Sequence, residues 1–274
     1  MPSKKSIRYK SKSGRYQIKN VRDGDLMIES DTSLDSEEKK IYIKEFLRRM
    51  TTRKSTKKVT ETSTELPVVA FVLKKSPDYD VDYLERIVRD LKAKVRCPIE
   101  IVCLADINVS HICKWIELEH SFPRWWPKLE LFSHSYLKGR KVIYFDLDTI
   151  ITGDITELIE YDHDFSMLRD FYFNHRFGSG VMAWNGDRSF ITEKFMEDPE
   201  SIMQHYKTSE NWGDQAFIRD CIGKNNITVL QDIPCLRGKI CSYKVNKKHH
   251  KSFRGSSIVC FHGTPRPREV GWRL

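Results

Sequence analysis

From Pro67 onward, short continuous apolar runs alternate with stretches in which apolar residues recur every three or four positions. Val68 to Leu73 has no polar interruption, the pattern of a strand buried on both faces. Val81, Leu84, Ile87, Val88, Leu91 and Val95 follow at helical spacing, with Asp80 placed to cap that helix. Ile99 to Leu104 predicts a second strand, and Trp126 to Tyr136 a helix opened by Pro127, with Leu129, Phe132 and Tyr136 on one side. Lys141 to Phe145 predicts a third strand. Later strands are expected at Phe165 to Leu168, Gly180 to Trp184, Thr228 to Leu230, Ile240 to Val245 and Ile258 to Phe261. Asp214 to Ile222 predicts a helix with Phe217, Ile218, Cys221 and Ile222 apolar. Strands alternating with helices in the first half imply parallel pairing, and the shorter late strands imply a mixed sheet. The expected class is α/β, with a mixed, mostly parallel central sheet.

Residues 1–30 are polar with no clear period. Residues 35–50 predict a short amphipathic helix with Ile41, Phe46 and Leu47 on its apolar face, and Thr51 to Thr64 reads as a Thr-, Ser- and Lys-rich linker. The expected division is therefore a partly flexible arm over 1–66 and one domain over 67–274. Charge sharpens it: of a net +9, residues 1–66 hold 17 Lys or Arg against 10 Asp or Glu, and the remainder 30 against 28. Such an arm is expected to be solvated, with weak attraction to anionic surfaces. It interleaves few aromatic residues, which argues against a nucleic-acid role for it.

No run in the 274 residues approaches the ~20 apolar positions of a membrane span. The opening Met-Pro-Ser-Lys-Lys lacks the apolar core of a signal peptide. The 7 cysteines are odd in number and include no C-x-x-C pair, which speaks against a zinc knuckle or a disulfide framework. Buried thiols in a reducing, cytoplasmic compartment are the expectation.

The chemistry concentrates where the third strand ends, in Lys141-Val-Ile-Tyr-Phe-Asp-Leu-Asp-Thr149. Open α/β sheets bind ligands at the carboxyl ends of their strands, so Asp146 and Asp148 arrive together at such a place. Two hard oxygen ligands suit a divalent cation such as Mg or Mn, most often one that holds a diphosphate. The pair has two enzymatic readings: a cation-holding DxD of sugar-nucleotide transferases, or a DxD phosphatase with Asp146 as nucleophile. At least two strands precede this one and no Gly-Thr follows it, both unlike such phosphatases. A non-catalytic binding module remains a third reading.

Five segments in order carry a resemblance: Trp126-Pro-Lys-Leu-Glu-Leu-Phe132, Tyr144-Phe-Asp-Leu-Asp-Thr149, Phe177-Gly-Ser-Gly-Val-Met-Ala-Trp-Asn185, Trp212-Gly-Asp-Gln215 and Phe261-His-Gly-Thr-Pro-Arg-Pro267. Together they resemble the GT-A glycosyltransferases, most closely family 8 and its glycogenin-like members, over about Pro67 to Trp272. The resemblance implies a Rossmann-like nucleotide-diphospho-sugar transferase fold and a retaining transfer from a UDP-sugar to an acceptor hydroxyl. It implies metal ligation by Asp146, Asp148 and His262, with Mn favoured over Mg by the imidazole. Gly263 would let the backbone approach the diphosphate, and Arg266, with Arg268 as a second candidate, would donate to it where the family has Lys. Lys128 would contact donor phosphate or sugar, Asp146 the ribose, Tyr79 the base and Asp170 the sugar hydroxyls. Asp214 and Gln215 would face the anomeric carbon and the acceptor. The acceptor class (glycan, protein, lipid or modified base) is open. The chain departs from the family in its compressed His262-Gly263 and in Gly178 replacing an Asn.

Overall fold

A computed structural model describes residues 6–11, 14–20, 26–30, 65–208 and 211–272. The chain divides into two units, Met1–Thr64 and Glu65–Leu274. The expected helix over 35–50 and linker over 51–64 lie outside the described residues.

Where no period was expected, the first unit contains three antiparallel strands, β1 (Ser6–Ser11), β2 (Gly14–Asn20) and β3 (Leu26–Ser30). Their register pairs Ile7 with Ile18, Tyr9 with Tyr16, and Ile18 with Ile28. A period of two is thus present in the sequence, spread over three short segments dense in charge.

The second unit is built on β4 (Val68–Leu73), helix α1 (Val81–Lys94), β5 (Glu100–Ala105), β6 (Lys114–Glu117), helix α2 (Glu130–Ser133), β7 (Val142–Phe145) and β8 (Thr149–Ile151). It continues through α3 (Thr156–Glu160), β9 (Phe165–Arg169), β10 (Phe177–Trp184), α4 (Phe190–Glu197), α5 (Pro199–His205) and α6 (Gly213–Ile222). It closes with β11 (Thr228–Val229), β12 (Ile240–Ser242), α7 (Tyr243–Lys248) and β13 (Ile258–Cys260).

Seven strands form one sheet in the order β11-β9-β10-β7-β4-β5-β6. All pairs in it are parallel except those of β10 with β7 and β9. The expected mixed, mostly parallel sheet is therefore the observed one. A smaller sheet, β12-β13-β8, lies beyond the end of β7. The central strands alternate strictly between two cores. Val69, Phe71, Leu73, Ile143 and Phe145 pack with α1 on one face. Val68, Ala70, Val142 and Tyr144 pack on the other face with Leu129, Phe132, Phe195 and Phe217. Every one of these side chains is at most 2% exposed.

Two expected elements differ. The helix over Trp126–Tyr136 is a 3-10 turn, Trp126–Leu129, followed by the short α2 that stops at Ser133. Ser133, Ser135 and the extended backbone of His134 end it before Tyr136. The strand expected over Ile240–Val245 stops at Ser242, whose hydroxyl accepts from Val245 N and so caps α7 instead. Asp80 occupies the cap position of α1, but its carboxylate receives Arg268 rather than the helix backbone. No helix of the described residues is long and apolar enough to cross a membrane.

Candidate active site

Strand parity aims the first carboxylate. Asp146 follows Tyr144 by two residues and continues its face of the sheet, the face that carries the 3-10 turn and α6. From that turn Lys128 reaches Asp146 Oδ1 at 3.0 Å, and from α6 Asp214 Oδ2 lies 3.0 Å from the same ammonium. Lys128 also donates to Ser179 Oγ (3.1 Å), whose hydroxyl donates to Asp214 Oδ2 (2.7 Å). Tyr144 OH donates to Asp146 Oδ1 at 2.6 Å. Lys128 is 4% exposed and Asp214 5%. Burial works against the lysine's charge, but Asp146 and Asp214 outweigh it and hold Lys128 above its ordinary range. Tyr144, buried beside Asp146, is pushed up by burial first and stays a hydrogen-bond donor.

The second carboxylate sits across a tight turn in which Thr149 N donates to Asp146 O (3.0 Å). Tyr79 OH donates to Asp148 Oδ2 at 2.9 Å, and Arg266 Nη1 reaches the same oxygen at 2.8 Å. The Arg266 guanidinium also lies over the Tyr79 ring, 4.4 Å from its centroid, and its Nη1 donates to the phenol oxygen. Tyr79, which the resemblance assigns to the base, here has its ring covered by Arg266. Burial and then the charge of Asp146 push the Asp148 carboxyl up, against the pull of Arg266 and Tyr79.

The turn itself is held by a residue that no motif marks. Arg86 of α1, 1% exposed, donates to Leu147 O (2.6 Å) and Thr149 O (2.8 Å). Burial lowers its pKa to about 10, which leaves the guanidinium charged at neutral pH.

The remaining candidates share one cavity of about 880 Å³, lined by Tyr79, Lys128, Asp146, Asp148, Asp170, Asp214, Gln215, His262, Gly263 and Arg266. Within it, Asp170 spends Oδ1 on the backbone N–H groups of Tyr172 (2.7 Å) and Phe173 (2.8 Å). His262 Nε2 shares a 2.6 Å hydrogen bond with Ser242 Oγ, and its ring stacks on Phe171. Burial, then Lys244, lowers its pKa to about 4, so the imidazole is neutral at pH 7. Gly263 has φ +92°, a conformation that favours glycine. Arg268 is elsewhere, tied to Asp80 and Asp82 at the start of α1.

The expected three-ligand set is not gathered: among the described residues, no three His, Cys, Asp or Glu side chains stand close enough to hold one ion. Among the described residues, Asp146 Oδ2 and Asp148 Oδ1 nevertheless make no hydrogen bond, and both residues line the cavity. A pair of unengaged carboxylate oxygens is a donor set that fits a hard divalent cation.

Sequence reading missed Arg86 and Ser179 as site residues. It also missed Trp125 and Trp212, whose rings tilt against each other with centroids 5.6 Å apart at the cavity wall beside Asp214. Gly213 between them has φ +65°, and a Cβ there would stand 2.6 Å from Trp125 Nε1. Gly213→Ala is therefore expected to cost about 1–3 kcal/mol from backbone conformation alone, with displacement of Trp125 adding to it. A lowered thermal midpoint, with quenched or shifted tryptophan fluorescence, is the measurement.

No family model matches the sequence, and no curated protein matches it. Solved structures do. The glycosyltransferase GlyE of Streptococcus pneumoniae TIGR4 superposes with a TM-score of 0.53 at 16% identity over 74% of this chain. The match covers 56% of GlyE, so this chain spans little more than half of that relative's length. The galactosyltransferase LgtC, solved with donor and acceptor sugar analogues, gives a TM-score of 0.54 at 14% identity over 73% of this chain and 88% of LgtC. The bifunctional glycosyltransferase WbbM in its apo form gives 0.51 at 11% identity, over 76% of this chain and 47% of WbbM. At these identities the likeness is one of fold, and the fold of this chain is that of the GT-A glycosyltransferases.

Proposed function

We propose that this chain transfers a sugar from a nucleotide diphosphate sugar, in our reading a UDP-sugar, to an acceptor hydroxyl with retention at the anomeric carbon. One observation carries the reading. Asp146, Asp148, Asp214, Lys128 and Arg266, from four separate segments, converge in one cavity at the carboxyl ends of parallel strands. Lys128 and Arg266 rest on carboxylates, so an entering diphosphate offers each a second anion within reach. The pairs would then exchange, freeing oxygens of Asp146 and Asp148.

Those two residues would hold Mn or Mg through their unengaged oxygens. Bound there, the cation would supply positive charge to the diphosphate as it leaves. The chain's own groups do the rest. Arg266 and Lys128 stabilise the negative charge that grows on the departing phosphate oxygen. Tyr79 and Tyr144 fix the carboxylates by donating to one oxygen of each. Asp214 and Gln215 line the cavity and would face the anomeric carbon and the acceptor, and Asp170, with Oδ1 on backbone N–H groups, would offer Oδ2 to sugar hydroxyls. The bond from the anomeric carbon to the phosphate oxygen breaks with its electron pair on that oxygen. The acceptor oxygen bonds to the same carbon, and its proton passes to the departing phosphate. The sugar analogues seen with LgtC support a donor and an acceptor subsite in this fold. A reducing, cytoplasmic setting goes with the reading, supported by seven free thiols.

The test incubates the protein with Mn and a panel of nucleotide sugars and follows release of nucleoside diphosphate. Slow donor hydrolysis is expected, with about 100- to 1000-fold loss in Asp148→Ala. A variant as active as the wild type would sink the assignment.

A further inference from the structure

The near neutrality of the second unit hides a strong internal asymmetry. From Ile233 to Arg268 the chain holds 9 Lys or Arg and no Asp or Glu. Two of these, Lys239 and Arg268, are paired with Glu157 and with Asp80 and Asp82, and Arg266 belongs to the site described above. Arg237 precedes β12, and the other five lie on α7 and the turn after it. Lys247, Lys248, Lys251 and Arg254 are exposed together with His249 and His250, and among the described residues none of these side chains meets a carboxylate. An uncompensated cluster of this kind is an electrostatic footprint for a polyanion.

The cluster is continuous with the cavity. Lys244, on the same short helix, is half-buried, and its ammonium stands 3.5 Å from where a Cβ of Gly263 would lie on the cavity wall. Ser242, which caps α7, hydrogen-bonds His262, and Tyr172 stands edge-on to that imidazole with ring centroids 5.7 Å apart. Tyr172 is 51% exposed at the cavity mouth, and Trp212, another lining residue, is 47% exposed. Cations for a phosphate backbone thus lead to aromatic faces open to a base, the combination that single-stranded nucleic acid requires.

The absence of apolar groups from the patch sets it apart from a bilayer contact. Among the described residues of 233–268, no large apolar side chain is exposed. Tyr243 and Phe253 are turned inward, stacked on each other and against Phe261 and Trp272. A helix that lies in a membrane surface presents such residues outward.

We propose that α7 and the turn through Arg254 dock a single-stranded nucleic acid, and that a nucleotide of that strand enters the cavity past Tyr172 as the acceptor. The word acceptor rests on the transferase reading; the docking face does not.

Fluorescence anisotropy of the full chain with a labelled single-stranded oligonucleotide tests it, in a ribo and a deoxyribo form, alongside flotation with phosphatidylserine vesicles. Four phosphate contacts predict a log–log salt slope of about −3, that is, about 50-fold weaker binding on going from about 50 to 200 mM salt. The combined variant Lys247→Glu, Lys248→Glu, Lys251→Glu, Arg254→Glu should lose binding and slope while keeping donor hydrolysis. Unchanged binding in that variant, with loss instead on substituting Lys57 and Lys58, would overturn the docking face. Vesicle capture without oligonucleotide binding would overturn it as well. Donor hydrolysis is read separately: a protein that binds the strand through this patch but never turns over a donor supports the face and overturns only the transferase reading.

Discussion

Asp148→Asn is expected to abolish nucleotide-sugar turnover and, in the same protein, to raise the thermal midpoint measured in a chelator. The two effects have one cause. Asp148 is 3% exposed, and burial, followed by the charge of Asp146, raises its titration above the ordinary carboxylate range. An acid whose folded titration is raised binds its proton more tightly in the folded than in the unfolded chain. Its contribution to stability is therefore complete below about pH 4 and is lost as pH rises through the folded value. At neutral pH the native carboxylate is a net cost, because Arg266 and Tyr79 only partly offset its desolvation. Asparagine keeps the shape and an oxygen that accepts from both partners, and it removes the charge. The variant should melt higher than wild type at pH 7 in chelator and show a flatter pH profile between about 4 and 7. Its donor turnover should fall at least about 100-fold, since a neutral amide gives a divalent cation no charge to bind. Added Mn should raise the wild-type midpoint by mass action and leave the variant's unchanged. A variant that melts lower in chelator, or one that keeps the Mn response, contradicts the account of Asp148.

Where the sequence was legible, a single local rule was sufficient. Val68–Leu73 and Val142–Phe145 are continuous apolar runs because both of their faces are covered, and α1 shows one apolar stripe because it covers one of them. The two aspartates could be placed from the same rule, since a strand's last residues stand at its carboxyl end. What could not be read depends on residues far apart in the chain. Lys128 and Asp214 are 86 positions apart, and Lys128 by itself has the look of a charge on a helix surface. Arg86 stands on the flank of α1, where a periodic pattern assigns charge to solvent, and only the β7–β8 turn above it makes that position buried. Lys114–Glu117 is four residues with exposed ends, too short for a period to show. The strand expected to run to Val245 fails for the opposite reason: a single hydroxyl, Ser242, redirects an apolar segment into a helix. The cationic patch on α7 leaves no trace in the net charge of 67–274, because acidic residues elsewhere in that stretch balance it.

Lys128→Met should be the most destabilising substitution in the site. It removes the cation shared by Asp146 and Asp214 and leaves both carboxylates facing each other without it, one of them 5% exposed. Breaking a buried pair from one side costs about 3–5 kcal/mol, more than the intact pair contributes, because the orphaned charge keeps its desolvation penalty. At about 2–4 °C per kcal/mol for a domain of this size, the midpoint should fall by about 10 °C. The sign with pH is fixed by the raised titration of Lys128. A base held above its unfolded value contributes stability that is present below about pH 10 and is lost as pH rises through the folded value. The wild type should therefore lose this contribution only in strong alkali, and the variant should lack it throughout. Methionine fills most of the lysine's volume, so a void is not the main loss, and a second substitution shows this. Lys128→Met combined with Asp214→Asn removes one of the two uncompensated charges and leaves Ser179 an oxygen to donate to. The double variant should recover at least half of the lost stability without recovering donor turnover, because the group that would meet the diphosphate is still missing. Additive losses in the double variant would mean that Lys128 stabilises the fold by packing, and the charge network would lose its explanatory role.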